Sequence, residues 1–148
     1  MGLARNGSTL SDMEDVVADM VAEHEECSLL LRSALSHGIR TQNGKSFFKQ
    51  AKDKLISHHE NELNNIYKPL QEARKAEQQF SKKRYNRYAD EISFGFIHTI
   101  EMLNDFEKSL DDDIASETNF LKLIRNISER IDFEENVLFL MYLNLASD

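Results

Sequence analysis

His58 and Glu62 stand four residues apart in the stretch "ISHHENELNNIYKPL" (residues 56–70), so on a helix they share one face. Leu55, Ile56, Leu63 and Ile66 around them are the apolar residues of a packed helix. His24, His98 and Glu134 interrupt or border apolar stripes elsewhere in the chain, and His59 adjoins His58. An unpaired buried carboxylate costs several kcal/mol, and two carboxylates sharing a site repel each other. Something positive must compensate them. Neutral imidazoles and carboxylates are a ligand set for iron, manganese or zinc. Arg130, one turn before Glu134, offers a second solution, a guanidinium that pairs with carboxylates. The chemistry in view is therefore metal binding, or an ion-paired layer that has no need of a metal.

Those residues need long helices to carry them. One Pro and five Gly in 148 residues leave few breakers, which favours helix throughout. Residues 1–10 read as a flexible lead, and 11–148 as one domain. "SDME" (Ser11 to Glu14) reads as a capping box opening a first helix over about 12–37, stopped by Gly38. "TQNG" (Thr41 to Gly44) reads as a turn. A second helix runs from about Lys45 towards Gln79, kinked or ended at Pro69. Phe80 to Arg84 form a connection, and a third helix covers about 82–110. "DDD" (Asp111 to Asp113) breaks it, and Ser116 caps a fourth helix ending near Leu145. The expected fold is all-α: an up-down-up-down antiparallel four-helix bundle.

Spacings of three and four give the inward stripes. The first helix reads Val17, Val21, His24, Ser28, Leu31, Leu35. The second reads Phe48, Ala51, Leu55, His58, Glu62, Ile66, Pro69. The fourth reads Phe120, Ile124, Ile127, Ile131, Glu134, Leu138, Met141, Leu145. The apolar face of the third centres on Tyr88, Ile92, Leu103, Phe106 and Leu110, with His98 towards one edge. Each polar interruption falls near the middle of its helix. In an antiparallel bundle the middles lie at similar heights, so His24, His58, Glu62, His98 and Glu134 are expected in one layer. His37 and His59 read as surface or boundary residues, and Cys27 as a small core residue.

Composition narrows the function. The net charge of −8 argues against nucleic-acid backbone binding, which needs a basic face. It suits a basic protein partner or plain solubility. A single cysteine excludes a disulfide framework and a Cys-based zinc site. No apolar run reaches the roughly 18 residues that span a bilayer. The start of the chain, "MGLARNGSTLS", lacks the apolar stretch of a signal peptide. A reducing cytoplasm is the expected compartment. The sequence has no nucleophile–base constellation, phosphate loop or calcium-binding spacing.

The motif "HHENELNNIYKPL" resembles the His-x3-Glu element of hemerythrin-like cation-binding domains, with an aromatic and a proline following as Tyr67 and Pro69 do. "ERIDFEENVLF" (Glu129 to Phe139) is similar to the second such element, "AEHEEC" around His24 to the first-helix histidine, and "FGFIHTIEML" around His98 to the third-helix one. The resemblance covers about residues 12–145. It implies a non-heme iron centre of one or two ions. Carried over from the family, Glu62 and Glu134 would bridge, His24 and His58 would bind one iron, and His98 would bind the other. It also implies a protein that binds or senses oxygen or nitric oxide, or handles iron. The family pattern places a histidine four residues before Glu134, where this chain has Arg130, and His59 is the residue able to make up a ligand. Phe94, not a histidine, lies one turn before His98.

The chain is also similar to the regulator of sigma D family. The resemblance rests on Arg130 followed by Glu134 and Glu135, on "LISHHENELNNIYKPL" and on "IEMLNDFEKSL", although this chain lacks the tryptophan of that family's first helix. That resemblance implies a metal-free bundle that sequesters a sigma factor. An enzyme using a non-heme iron centre is the third reading. Whether the shared neighbour of the buried acids is iron or Arg130 stays open at the level of sequence.

Overall fold

A computed structural model describes residues 9–76, 96–110 and 116–147. All of the regular structure among them is helical. Helix α1 spans Leu10–His37 and α2 spans Gln42–Glu62. A π-turn, π1 (Leu63–Tyr67), joins α2 to α3 (Lys68–Ala76). Helix α4 is described over 96–108. Helix α5 (Ser116–Phe133) continues through a second π-turn, π2 (Glu134–Leu138), into α6 (Phe139–Asn144), and a 3-10 turn follows at Leu145–Ser147. The described residues thus make four rods: α1, α2–π1–α3, α4 and α5–π2–α6. The expected connection at Phe80 to Arg84, the "DDD" break and the start of the third helix lie outside the described residues.

The first helix opens two residues earlier than "SDME" suggests. Thr9, not Ser11, is the cap: its hydroxyl accepts from the Asp12 N–H at 3.1 Å, and the Asp12 carboxylate accepts from the Thr9 N–H at 3.3 Å. A threonine hydroxyl and an acid three residues on satisfy two of the donors that every helix start leaves orphaned. At the other end Gly38 takes φ +89°, a conformation that side-chain-bearing residues rarely adopt, and the helix stops there as expected.

"TQNG" is not a free turn. Thr41 caps α2, its hydroxyl accepting from the Gly44 N–H at 3.0 Å, so Gln42, Asn43 and Gly44 are helical. Gly44 packs against the carbonyl of Gly38, where a Cβ would collide. Pro69 does not end its helix either. The Lys68 N–H reaches back five residues to the Leu63 carbonyl, so the ladder has already shifted register before the proline, whose missing N–H and ring cost least where the turn is widened.

Contacts between rods run in reversed order. Along α1 and α2, Glu23 meets Asn61, Glu26 pairs with Lys54, and His37 lies against Phe47. Between α2 and α4, His59 stacks on Phe96 and Lys52 pairs with Glu107 at 2.7 Å. Between α4 and α5, Thr99 donates to Asn126 and Phe106 stacks on Phe120.

The interior is two apolar cores with a polar layer between them. One holds Met13, Met20, Ile66, Tyr67, Leu70, Leu138, Phe139 and Tyr142. The other holds Leu31, Phe48, Leu103, Phe106, Phe120, Leu123 and Ile127. In α1 the buried line is Met13, Met20, His24, Cys27, Leu31, Ala34: it keeps His24 and Leu31 of the expected stripe, takes Met20, Cys27 and Ala34 one position before Val21, Ser28 and Leu35, and has Met13 in place of Val17. No helix among the described residues is long and apolar enough to cross a membrane.

Candidate metal centre

Both π-turns sit at the buried acids. Glu62 is the last residue before π1, and Glu134 is the first residue of π2. A π-turn adds a residue to one turn and shifts the facing phase beyond it, a distortion common at functional sites. Here it lets each rod bury an acid and, after it, two neighbouring residues: Glu62 with Ile66 and Tyr67, and Glu134 with Leu138 and Phe139.

His24 from α1, His58 and Glu62 from α2, and Glu134 from π2 meet in the polar layer, all four buried. Their ligand atoms all lie within 4.8 Å of one another. The two imidazoles approach Nε2 to Nε2 at 2.9 Å. Glu134 Oε1 lies 3.3 Å from His24 Nε2 and 3.2 Å from His58 Nε2. Glu62 Oε2 lies 2.8 Å from His58 Nε2, yet the two are not aligned for a hydrogen bond, and this buried oxygen has no hydrogen-bond partner among the described residues. A carboxylate only 1 % exposed with an unsatisfied oxygen demands a compensating positive charge.

The outer nitrogens of both rings are taken. His58 Nδ1 lies 2.8 Å from Glu23 Oε1, and Glu23 Oε2 accepts from the Asn61 amide at 3.1 Å. His24 Nδ1 lies 3.3 Å from Glu135 Oε2. An imidazole whose Nδ1–H is held by a carboxylate presents the Nε2 lone pair, the arrangement that orients metal-bound histidines. With both rings so held, two lone pairs face each other at 2.9 Å, which is repulsive unless a proton or a cation lies between them.

Burial disfavours the charged form of His24, and neighbouring His58 adds to this, so its pKa falls below the ordinary value. Burial also disfavours charged His58, but contact with Glu62 and the bond to Glu23 outweigh it and raise its pKa. Burial opposes ionised Glu62, yet His58, His59 and Arg130 overcome it and hold its pKa low. A neutral imidazole and an ionised carboxylate are the forms a metal needs.

Arg130 and His59 occupy the other side of the two acids. Arg130 Nε lies 3.5 Å from Glu134 Oε2, and Nη2 donates to the Tyr67 hydroxyl at 2.9 Å. His59, expected at the surface or boundary, is buried. Its Nδ1 lies 3.7 Å from Glu62 Oε1, and its ring stacks on Phe96 and meets Tyr67 edge-on. A cavity of about 30 Å³ adjoins this layer, lined on its apolar side by Leu55, Phe96, Ile100, Ile127 and Ile131. That volume holds one or two water-sized groups.

His98 does not join the four residues. It is exposed, because the face of α4 turned inward is Phe96, Thr99, Ile100 and Leu103. Counting back in threes and fours from Leu110, Phe106 and Leu103 leads to Thr99 and Phe96, so the correct phase was present in the sequence. Glu23, Glu135 and Tyr67 stand against the candidate residues, and the sequence reading placed none of them in the site. Glu23 and Glu135 each stand beside a candidate ligand and half out of the stripe, a pattern shared with ordinary surface acids. Comparison with protein-family models, with curated proteins and with solved structures finds no match for this chain. The site's chemistry therefore rests on its own geometry.

Proposed function

We propose that this protein is a non-heme metal-binding bundle of the hemerythrin-like kind, with an up-down-up-down arrangement of its four rods and iron as the metal. The reversed contact order between successive rods supports the topology. One observation carries the metal reading: two carboxylate-held imidazoles turn their Nε2 atoms onto two buried carboxylates, one of which has an oxygen with no hydrogen-bond partner among the described residues. His24, His58, Glu62 and Glu134 would hold the ion, a mixed imidazole and carboxylate set that suits iron, manganese or zinc. A ferrous ion held there would supply the chemistry of binding a small diatomic ligand, oxygen or nitric oxide. The chain's own residues do the rest. Glu23 and Glu135 fix the imidazole tautomers, and the apolar wall of Leu55, Ile100, Ile127 and Ile131 restricts the neighbouring cavity to a ligand of that size.

The test is elemental analysis of freshly purified protein, followed by anaerobic titration with Fe(II), Co(II) and Zn(II). Binding of a transition metal by the native chain, lost in His58→Ala and in Glu62→Gln, is the expected result. A native chain that binds none of the three while fully folded sinks the metal reading. It would leave the metal-free alternative, in which Arg130 and a proton on His58 balance the two acids and the bundle serves as a protein-binding regulator. Co-purification of a sigma factor is the positive sign of that alternative.

A further inference from the structure

We infer that Arg130 stands in the place of a second cation, so that this centre takes one metal ion and not two. The inference rests on the metal-binding reading above and adds the ion count to it. Each buried acid divides its oxygens between two sides. Glu134 turns Oε1 to the two imidazoles, at 3.3 and 3.2 Å, and Oε2 to the Arg130 guanidinium, at 3.5 Å. Glu62 turns Oε2 to His58 at 2.8 Å and Oε1 to His59 at 3.7 Å. The two carboxylates thus bridge two lobes. One lobe is lined by His24 and His58. The other is lined by His59, Arg130 and Tyr67.

The two bridging rods are built alike. His58, Glu62, Ile66 and Tyr67 on one match Arg130, Glu134, Leu138 and Phe139 on the other in spacing, and each acid adjoins a π-turn. Arg130 therefore stands on its rod where His58 stands on the other. A guanidinium keeps its charge at every accessible pH and has no lone pair to offer a metal. The Tyr67 hydroxyl anchors it beside Glu134. It satisfies the outward oxygen of Glu134 and repels any cation approaching that lobe. The one component the second lobe lacks for an imidazole and carboxylate set like the first is a second imidazole, since His59, Glu62 Oε1 and Glu134 Oε2 are already there.

Stoichiometry decides it. The full chain is stripped with chelator, then titrated anaerobically with Fe(II) and separately with Co(II). Ions per chain are counted by elemental analysis and calorimetry, and Co(II) visible absorption reports each site. The native chain is expected to bind one ion. Arg130→His is expected to bind two, and Arg130→His combined with His59→Ala to return to one. Arg130→Gln, which removes the charge without adding a ligand, is expected to stay at one. Two ions in the native chain overturn the inference while leaving the metal reading intact. One ion in an Arg130→His chain whose far-ultraviolet circular dichroism is native overturns it as well. No ion in the native chain removes both. If Arg130→His fails to fold, the native and Arg130→Gln counts still decide.

Discussion

His24 and His58 face each other Nε2 to Nε2 at 2.9 Å, each with its other nitrogen held by a carboxylate from outside the layer. On the proposed metal reading Glu23 and Glu135 are positioning residues. Glu23→Gln and Glu135→Gln should each weaken metal binding by about 10- to 100-fold while leaving the fold intact. The Co(II) spectrum should shift in both, because the orientation and basicity of the ligating ring change. Unchanged affinity in both variants would show that the carboxylates are incidental neighbours.

Metal binding should depend on pH through His58. Its pKa is raised, so the proton on this ring stabilises the fold fully below the ordinary imidazole value of about 6.5, and that contribution is lost as pH rises through the raised value. A metal must displace that proton. The affinity should therefore fall by roughly tenfold per unit as pH drops below the pKa of His58, with about one proton released per ion bound. The lowered pKa values of His24 and Glu62 leave those groups ready to bind at neutral pH. Calorimetry in buffers of different ionisation enthalpy counts the proton, and a pH-independent affinity between 5.5 and 8 would contradict the assignment.

Ligand binding should raise stability by mass action. At a free metal concentration of 100 times Kd the gain is about 2.7 kcal/mol, or roughly 5–10 °C in Tm for a chain of this size. The shift should vanish with excess chelator and in His24→Ala. A Tm that does not move at saturating metal would mean that binding occurs away from the folded core.

Tyr67→Phe removes the hydroxyl that accepts from Arg130 Nη2. A hydrogen bond to a charged group contributes about 1.5–3 kcal/mol, and the half-buried guanidinium recovers part of it from solvent, so a loss of about 1–2 kcal/mol is expected. Urea unfolding should show a lower midpoint with an unchanged slope. No measurable change would mean that Arg130 is held by Glu134 without help from Tyr67.

Cys27 is buried, and burial pushes its thiol up to about 11. The thiolate is the nucleophile, so the folded chain should resist iodoacetamide at pH 8 for hours and react fully within minutes once denatured. Rapid labelling of the native chain would place Cys27 at a surface. Gly44→Ala tests the other tight point, since the new methyl meets the Gly38 carbonyl. A cost of about 1–3 kcal/mol is expected from overpacking there, read from the urea midpoint.

The all-helical class was legible because helix periodicity is a local property: Phe48, Ala51, His58 and Glu62 fall on one face whatever surrounds them. The convergence of His24, His58, Glu62 and Glu134 was legible for the same reason, since each interrupts an apolar stripe at mid-helix. The π-turns were not, because an inserted residue leaves no mark when the flanking sequence still reads as helix. His98, expected towards one edge of the third helix's apolar face, lies exposed because the run Leu110, Phe106, Leu103 continues to Thr99 and Phe96 and leaves position 98 on the outer side. His59 lies buried against Phe96 of α4, which stacks on its ring, and against Tyr67, which meets its edge from the end of the π-turn on the same rod.

The sequence by itself determined which residue types interrupt the core, since spacing along a helix is set by covalent geometry. Only the tertiary structure decided how each acid divides its two oxygens, one towards the imidazoles of His24 and His58, the other towards Arg130 and His59. That division depends on the relative rotation of separate rods. Rotation follows from packing and from the two π-turns, which act over the whole bundle and have no expression in the spacing of any one segment.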